Sequence, residues 1–245
     1  MDRKPPPQGR RGLWGWTGFA NKTLWDWLQL LIVPVMIAIV GAGLAAAQGY
    51  FQLQAEERRA QDEALQAYLE GMGNLLLDEE LLSSQEGDEV RTLARARTLT
   101  ILGQVDGTRK RSVVLFLYES QLILVRESQL IQQDLPIVVI SGADLSDANL
   151  SDVHLSNAYL RLTDLRRADL SGDDLWNADL WSADLSGADL SDANLSGAVL
   201  DLANLSDANL SGADLTGVTG VSTEDLEAAT TNLRETTMPD GSKHP

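Results

Sequence analysis

Residues 143–152 read ADLSDANLSD and residues 203–217 read ANLSDANLSGADLTG, and the same five-residue pattern continues between them. A leucine stands at every fifth position from Leu145 to Leu215, fifteen in all. On an α-helix, steps of five would turn each leucine by about 140° and spread the set around every side. On a β-strand, the leucines would alternate between the two faces. The spacing instead predicts one short extended side and one corner in every five residues, so that each leucine returns to a common interior.

The other repeat positions support this interpretation. Two residues before the leucine, on the same face of an extended segment, the chain has alanine in twelve of fifteen repeats. The exceptions are Val153, Thr163 and Asp173. Asp or Asn directly precedes the leucine in twelve of fifteen repeats, the exceptions being His154, Tyr159 and Val199. These short polar side chains, with the Ser and Gly that follow the leucine, are typical of turns. Because a buried acid is costly unless it is hydrogen-bonded, we expect Asp173 to distort its corner.

This motif resembles that of the pentapeptide-repeat family, A(D/N)LXX. The resemblance implies a right-handed quadrilateral β-helix with about twenty residues in each coil, and therefore about four coils here. We assign the β-helix to residues 136–220, with PIVVI (136–140) as its first side. Since the segments around it are predicted to be helical, the fold class is α+β.

A hydrophobic segment lies at residues 24–51, and Asp26 is its only charged residue. Trp27 and Tyr50, which suit the two interfaces of a bilayer, are 23 positions apart, about 35 Å along a helix. This length is enough to cross a membrane, so we predict a single transmembrane helix in contact with lipid. The alternative is a cleaved signal peptide, because the alanines at 45–47 offer a cleavage site.

The remaining segments complete the domain organisation. Residues 1–23 form a polar basic tail, residues 52–135 a juxtamembrane helical region, and residues 221–245 a capping helix with a polar tail. The order of these segments resembles a membrane-attached subgroup of the family that is common in cyanobacteria and similar bacteria. That resemblance implies an integral single-pass protein of the bacterial inner membrane.

Within the helical region, a helix is predicted to begin at Asp88 and a shorter one to follow the DGT at 106–108. The predicted buried side of the first comprises Leu93, Ala96, Leu99, Thr100 and Leu102. Both helices carry basic runs, which either touch lipid headgroups or form a solvated face. These runs comprise Arg91, Arg95, Arg97, Arg109, Lys110 and Arg111.

The side of the membrane on which the repeats lie stays open. Five basic residues precede the hydrophobic segment, against two, Arg58 and Arg59, in the first twenty residues after Ala47. By the positive-inside rule, this count favours a cytoplasmic N-terminus and repeats on the opposite side. Against it, the segment after the helix is often richly basic in proteins of the resembled subgroup.

Departures from the repeat gather on one side of the predicted β-helix. The side that carries Leu160, Leu180 and Leu200 has aromatic, apolar and charged residues outside, whereas the opposite side has only Ser, Asp, Asn and Gly. We predict an interaction patch there, covered either by the chain's own helices or by another protein. Its candidate residues are Tyr159, Arg161, Leu162, Trp176, Trp181, Val199, Asp201 and Leu202. Within it, Arg161 is expected to make a cation–π contact with Trp181. His154 is expected to lie above Asp174 in another column, as a surface contact.

Composition limits the function. Of the net charge of −17, residues 141–220 contribute −11, with 14 acidic residues against three arginines, which disfavours nucleic acid as a direct partner. There is no cysteine, no Gly-rich phosphate loop, no HExxH and no G-x-S-x-G motif. We therefore predict no enzyme, no catalytic residue, no metal site and no cofactor.

Two functions remain. The first is a membrane-anchored, noncatalytic protein-interaction or scaffold module with an unknown protein partner; homo-oligomerisation stays open. The alternative, which the family resemblance implies, is an acidic DNA-mimic solenoid that binds a type II topoisomerase such as DNA gyrase.

Overall fold

The computed structural model describes residues 33–78, 81–124 and 136–245. The helices in these ranges are α1 (Val33–Leu77), a 3-10 helix (Leu81–Ser83), α2 (Glu89–Leu102), α3 (Gly107–Glu119) and α4 (Thr223–Ala229). The predicted tail at 1–23 and the first part of the predicted membrane segment lie outside the described residues.

The chain divides into two units, Met1–Glu57 and Arg58–Pro245. In the first unit, α1 exposes large apolar side chains such as Ile37 (66%) and Leu44 (63%). The helix is long and apolar enough to cross a membrane, and its most apolar 18-residue window is 0% buried. A signal sequence near the N-terminus meets the same criteria of length and apolar composition.

In the second unit, the end of α1 packs against α2 and α3. Tyr68 is buried, its hydroxyl lies 3.0 Å from the hydroxyl of Thr98, and its ring meets Phe116 edge to face with centroids 6.1 Å apart. Burial raises the pKa of Tyr68 to about 12, although the hydrogen bond to Thr98 acts in the opposite direction. This contact fixes which side of α2 faces the core.

The buried side of α2 differs in part from the prediction. Leu102 is buried as expected, but Leu93 is 40% exposed. The buried side comprises Ala94, Thr98, Ile101 and Leu102. The prediction was wrong at Leu93, Ala96 and Thr100, which are exposed, because the apolar pattern does not show that the hydroxyl of Thr98 pairs with Tyr68 inside the core.

Residues 143–219 form a stack of coils. Parallel β-bridges join residues twenty apart along the outside, as in Asp144 to Asp164 and Asp164 to Asp184. Between coils, Leu145 N–H donates to the Asp164 carbonyl (2.8 Å) and Asp164 N–H donates to the Ala143 carbonyl (2.9 Å). The same two bonds recur in successive repeats. The backbone N–H and C=O groups of each side therefore find partners in the neighbouring coil, although each side forms an isolated β-bridge and not an extended strand.

The fifteen repeat leucines are all buried, and the most accessible of them, Leu205, is 4% exposed. The alanine positions are buried beside them, with Ala203 partly accessible. Val138 and Ile140 of the PIVVI segment are also fully buried and continue this core. The prediction that each leucine returns to one interior is confirmed.

The C-terminal end of the stack is closed by α4 and the residues after it. Ser222 and Asp225 form a reciprocal capping box at the start of α4, and Leu226 is buried. The chain then rejoins the coils, with bridges from Asn209 to Asn232 and from Asp214 to Thr237. The register there is 23 residues because α4 replaces part of one side. Residues predicted as a polar tail therefore pair with the last complete coil.

Candidate interaction surface

Eight outward residues form what we call the lateral patch. They are Tyr159, Arg161, Leu162, Trp176, Trp181, Val199, Asp201 and Leu202. Leu162 N–H donates to the Trp181 carbonyl (3.0 Å), and Ser182 N–H donates to the Asp201 carbonyl (2.8 Å). These bonds align residues 161, 181 and 201 in one column and residues 162, 182 and 202 in the next. Coil stacking thus brings every patch member except Trp176 to one face.

Arg161 organises the upper part of the patch. Its guanidinium carbon lies 5.3 Å from the ring centre of Tyr159 and 5.8 Å from that of Trp181, which confirms the expected cation–π contact. Its Nε also donates to Asp179 at 2.6 Å, and this hydrogen bond raises the pKa of Arg161. The sequence prediction missed Asp179, although its place below Tyr159 in the column of Asx positions is a signal for it. The guanidinium is therefore held in a fixed orientation on the surface.

Leu162 and Leu202 occupy unusual positions. Their φ angles are 58° and 60°, in the left-handed region that favours glycine or asparagine. Equivalent corners of other repeats hold such residues, for example Gly172 and Asn177. The two leucines are also 52% and 74% exposed. A leucine at such a corner costs about 1 kcal/mol in backbone strain, and its side chain gains little from burial in this chain.

The remaining members frame the patch. Trp176 is 49% exposed and lies on the neighbouring edge of the coil. Val199 is half-buried and bridges Asp179 and Thr219 in the stack. The carboxylate of Asp201 accepts a hydrogen bond from the Thr219 hydroxyl at 3.1 Å.

Within the described residues, the helices cover the first coil at its end and do not cover the lateral patch. Lys110 is 6% exposed and donates to the Asp144 carboxylate and to the Ser146 carbonyl, each at 2.9 Å. Arg111 donates to the Ser151 carbonyl, and the Gly107 carbonyl accepts from the Asn149 backbone N–H on the same edge of the first coil. Among the described residues that precede the β-helix, only Ile123 bonds to the lateral patch, through its carbonyl, which accepts from the Tyr159 backbone N–H. Helix α3 thus satisfies the open edge of the first coil.

In the basic run on α2, Arg95 has the same role and Arg97 binds α1 instead. Arg95 donates to the carbonyls of Val139 (2.9 Å) and Ser141 (3.4 Å) in the first side of the β-helix. Arg97 donates to the Gly71 carbonyl at 2.8 Å. Arg95 is exposed, as expected for a solvated face, and it also binds carbonyls of the chain itself. Arg97 is half-buried and binds a backbone carbonyl, so neither lipid contact nor a solvated face describes it.

Asp173 is 1% exposed in the interior of the β-helix, and neither carboxylate oxygen has a hydrogen-bond partner. Burial raises its pKa from 3.8 to about 8. The predicted distortion of its corner is wrong, because Asp173 N–H donates to Leu170 (3.1 Å) and Asp174 N–H donates to Val153 (3.1 Å) as elsewhere in the stack. The aspartate side chain fits the inward position that alanine occupies in most repeats, so its cost to stability comes from burying the carboxylate charge.

His154 lies in the column predicted for it, bridged to Asp174. The carboxylate of Asp174 accepts from Asn194 Nδ2 (2.9 Å) and from the Trp176 amide (3.2 Å). Among the described residues, no group of His, Asp and Glu is arranged to hold a metal ion.

Comparisons with known proteins agree with this geometry. The family model described as pentapeptide repeats matches residues 143–181 and 183–219 in 8 copies. No curated protein matches the sequence.

Several solved structures are similar to this chain. A pentapeptide repeat protein from the Arabidopsis thaliana thylakoid lumen is 34% identical over 40% of this chain and 59% of its own, with a TM-score of 0.28. Rfr23 from the cyanobacterium Cyanothece 51142 is 42% identical over 30% of this chain and 57% of its own, with a TM-score of 0.22. A pentapeptide repeat protein from Nostoc PCC 7120 is 37% identical over 36% of this chain and 84% of its own, with a TM-score of 0.20. The chain spans less than two thirds of the length of the first two.

Proposed function

We propose that this chain, which belongs to the pentapeptide-repeat family, is a membrane-anchored, noncatalytic protein-interaction module. Residues 24–51 hold it in the membrane, and the lateral patch on its quadrilateral β-helix of about four coils binds protein. This function requires no catalytic residue, metal ion or cofactor.

The observation that carries the proposal is the placement of Leu162 and Leu202. Both combine a left-handed backbone with an exposed apolar side chain, 52% and 74% accessible. Folding would favour glycine or asparagine at these corners, which would relieve the strain and remove the exposed apolar area. Exposed apolar side chains beside a fixed arginine and two aromatic rings are typical of a protein-binding surface.

The anchor is supported by α1, whose apolar residues from Val33 onward are exposed. The end cap formed by α2 and α3 supports a rigid platform, because Arg95, Lys110 and Arg111 tie these helices to the first coils. A rigid surface loses less conformational entropy on binding than a flexible one. We place the protein in a bacterial inner membrane, with the count of basic residues favouring the β-helix on the side opposite the N-terminus.

Photo-crosslinking in intact cells tests this function. A benzoylphenylalanine replaces Leu202 in one variant and Ser191, on the plain opposite side, in the control. We expect a covalent protein adduct from position 202 and none from position 191, and Leu162→Asn should reduce the adduct at 202 severalfold. Equal adducts at the two positions, or none at either, would contradict a binding role for the lateral patch.

The DNA-mimic alternative is favoured by the acidic outer columns, such as Asp164 beside Asp184 and Asp169 beside Asp189. They resemble a DNA backbone in charge, although Arg166 and Arg167 pair with Asp164 and Asp147. The test is a supercoiling assay of DNA gyrase with the full chain in nonionic detergent. Inhibition that excess DNA relieves would support this role, and full gyrase activity at high protein concentration would remove it.

A further inference from the structure

We infer that the partner of the lateral patch is a second copy of this chain, bound face to face with the two coil stacks antiparallel. This inference rests on the proposed function, because it assigns a partner to the same surface. It follows from the order of residues in the two central columns.

The columns are symmetric about the coil that carries Trp181 and Ser182. Arg161 lies one coil before Trp181, and Asp201 lies one coil after it. In the neighbouring column, Leu162 and Leu202 lie one coil on either side of Ser182. A two-fold axis that lies in the interface, at the height of this coil and at right angles to the stack, therefore sets Arg161 opposite Asp201 and Leu162 opposite Leu202. It also sets Asp179 opposite its own copy, where the hydrogen bond from Arg161 offsets part of the repulsion between the two carboxylates.

Charge complementarity follows from this axis. Arg161 of one copy faces Asp201 of the other, and the two-fold axis makes this pair twice. Within the described residues, Arg161 uses only Nε for Asp179, and Asp201 accepts only from the hydroxyl of Thr219, so both keep capacity for a second partner. The pairing needs no change in the coil backbone.

The apolar residues fit the same arrangement. Leu162 of one copy faces Leu202 of the other, which removes the exposed parts of both side chains from water. The rings of Trp181 meet at the axis, where offset stacking is favourable. Ser182, the small residue between the two leucines, lets the surfaces approach.

The opposite side of the β-helix does not suit a second copy. It carries four aspartates and no basic residue, a net −4, whereas Arg161, Asp179 and Asp201 give the patch face −1. On the opposite side, carboxylates of one copy would face carboxylates of the other. Like-charge repulsion therefore favours the lateral patch over the opposite side as the face on which two copies meet.

A charge-reversal experiment tests the inference on the full chain in nonionic detergent, with self-association measured by sedimentation. Arg161→Asp and Asp201→Arg should each weaken self-association at least tenfold, because each places like charges opposite one another. An equimolar mixture of the two variants should restore association, because both contacts of the mixed dimer then join opposite charges. In one contact the introduced Asp at 161 faces the introduced Arg at 201, and in the other the unchanged Asp201 faces the unchanged Arg161. The mixture also controls for folding, because a variant that had simply unfolded would not be rescued.

Crosslinking gives a second readout, and the absence of cysteine makes it specific. Ser182→Cys should give a covalent dimer with a short bis-maleimide, and the control Ser191→Cys on the opposite side should not. A mixture that fails to restore association, or equal crosslinking at 182 and 191, would overturn the inference. If the photo-adduct at position 202 is a different protein and Ser182→Cys stays monomeric, the second copy is excluded while the proposed function stands.

Discussion

Replacing Asp173 by alanine, the residue most repeats have at that position, is expected to stabilise the β-helix, and more so as the pH rises. The pKa of Asp173 is raised to about 8 by burial. The nearby backbone N–H of Asp174 and the charge of Arg111 act in the opposite direction, and the carboxylates of Asp174 and Asp152 raise this pKa further. A folded-state pKa above the unfolded value means that the folded state binds the proton more tightly. Proton binding by Asp173 therefore contributes fully to the stability of the wild-type chain below about pH 4, and this contribution is lost as the pH rises towards 8.

The magnitude follows from the shift. One pKa unit corresponds to about 1.4 kcal/mol, so a shift from 3.8 to about 8 removes at most roughly 5–6 kcal/mol over the whole range. At pH 7 the penalty is roughly 4 kcal/mol, which for a domain of this size is on the order of 10 °C in Tm. Carboxylates with lowered pKa values, such as Asp164 beside Arg166, change the stability only below about pH 4. They therefore do not contribute to the pH dependence between pH 5 and 8.

The measurement is the free energy of unfolding by urea, followed by circular dichroism of the full chain in detergent at pH 5, 6, 7 and 8. Wild type should lose about 1.4 kcal/mol per pH unit between pH 5 and 7 more than Asp173→Ala. Asp173→Asn should abolish this slope too but be less stable than the alanine variant, because its buried amide stays unpaired.

The matched control is Thr163→Ala, at another inward position of the same kind. The Thr163 hydroxyl donates to the Leu160 carbonyl at 2.7 Å and does not titrate, so the effect of its removal should be independent of pH. The reasoning fails if Asp173→Ala is less stable than wild type at pH 8, or if both have the same dependence on pH.

Three further predictions concern the end cap, the patch and the membrane. Lys110→Ala should destabilise the chain by roughly 1–3 kcal/mol and speed amide exchange in the first coil, because it removes a buried side chain whose ammonium group bonds the Asp144 carboxylate and the Ser146 carbonyl. Arg167→Ala, which breaks an exposed pair, should change neither. Leu202→Asn should keep or raise Tm by a few degrees, since asparagine relieves the left-handed corner, while it weakens binding at the lateral patch; a clear fall in Tm would show that Leu202 serves folding. A cysteine at Ser211 should react with an impermeant thiol reagent on intact cells, as expected for a β-helix outside the cytoplasm; protection until the cells are lysed would reverse the orientation.

Much of the β-helix was predictable because its information is local and repeated. Each leucine meets the same surroundings as the leucine twenty residues away, so a single five-residue pattern specifies the interior many times. Other predicted features also depend on contacts between residues close in the sequence. They are the inward alanines, the Asp and Asn residues before the leucines, and the helix cap at Ser222. Even the cation–π contact between Arg161 and Trp181 followed from the twenty-residue period.

Features that lack this period were decided by the tertiary structure. The end cap joins Lys110 to Asp144 and Arg95 to Val139, pairs 34 and 44 residues apart with no repeat to reveal them. The unpaired state of Asp173 depends on what fills the space around its carboxylate, which a sequence pattern does not contain.

The sequence by itself determined that the repeats bury their leucines in a coil and that a long apolar helix precedes them. The tertiary structure was needed to show which corners are strained, which arginines hold the helices, and which face of the coils the described helices leave uncovered. The physical reason is that burial in a repeat is set by nearest neighbours, whereas exposure of a surface depends on where the non-repeating segments pack.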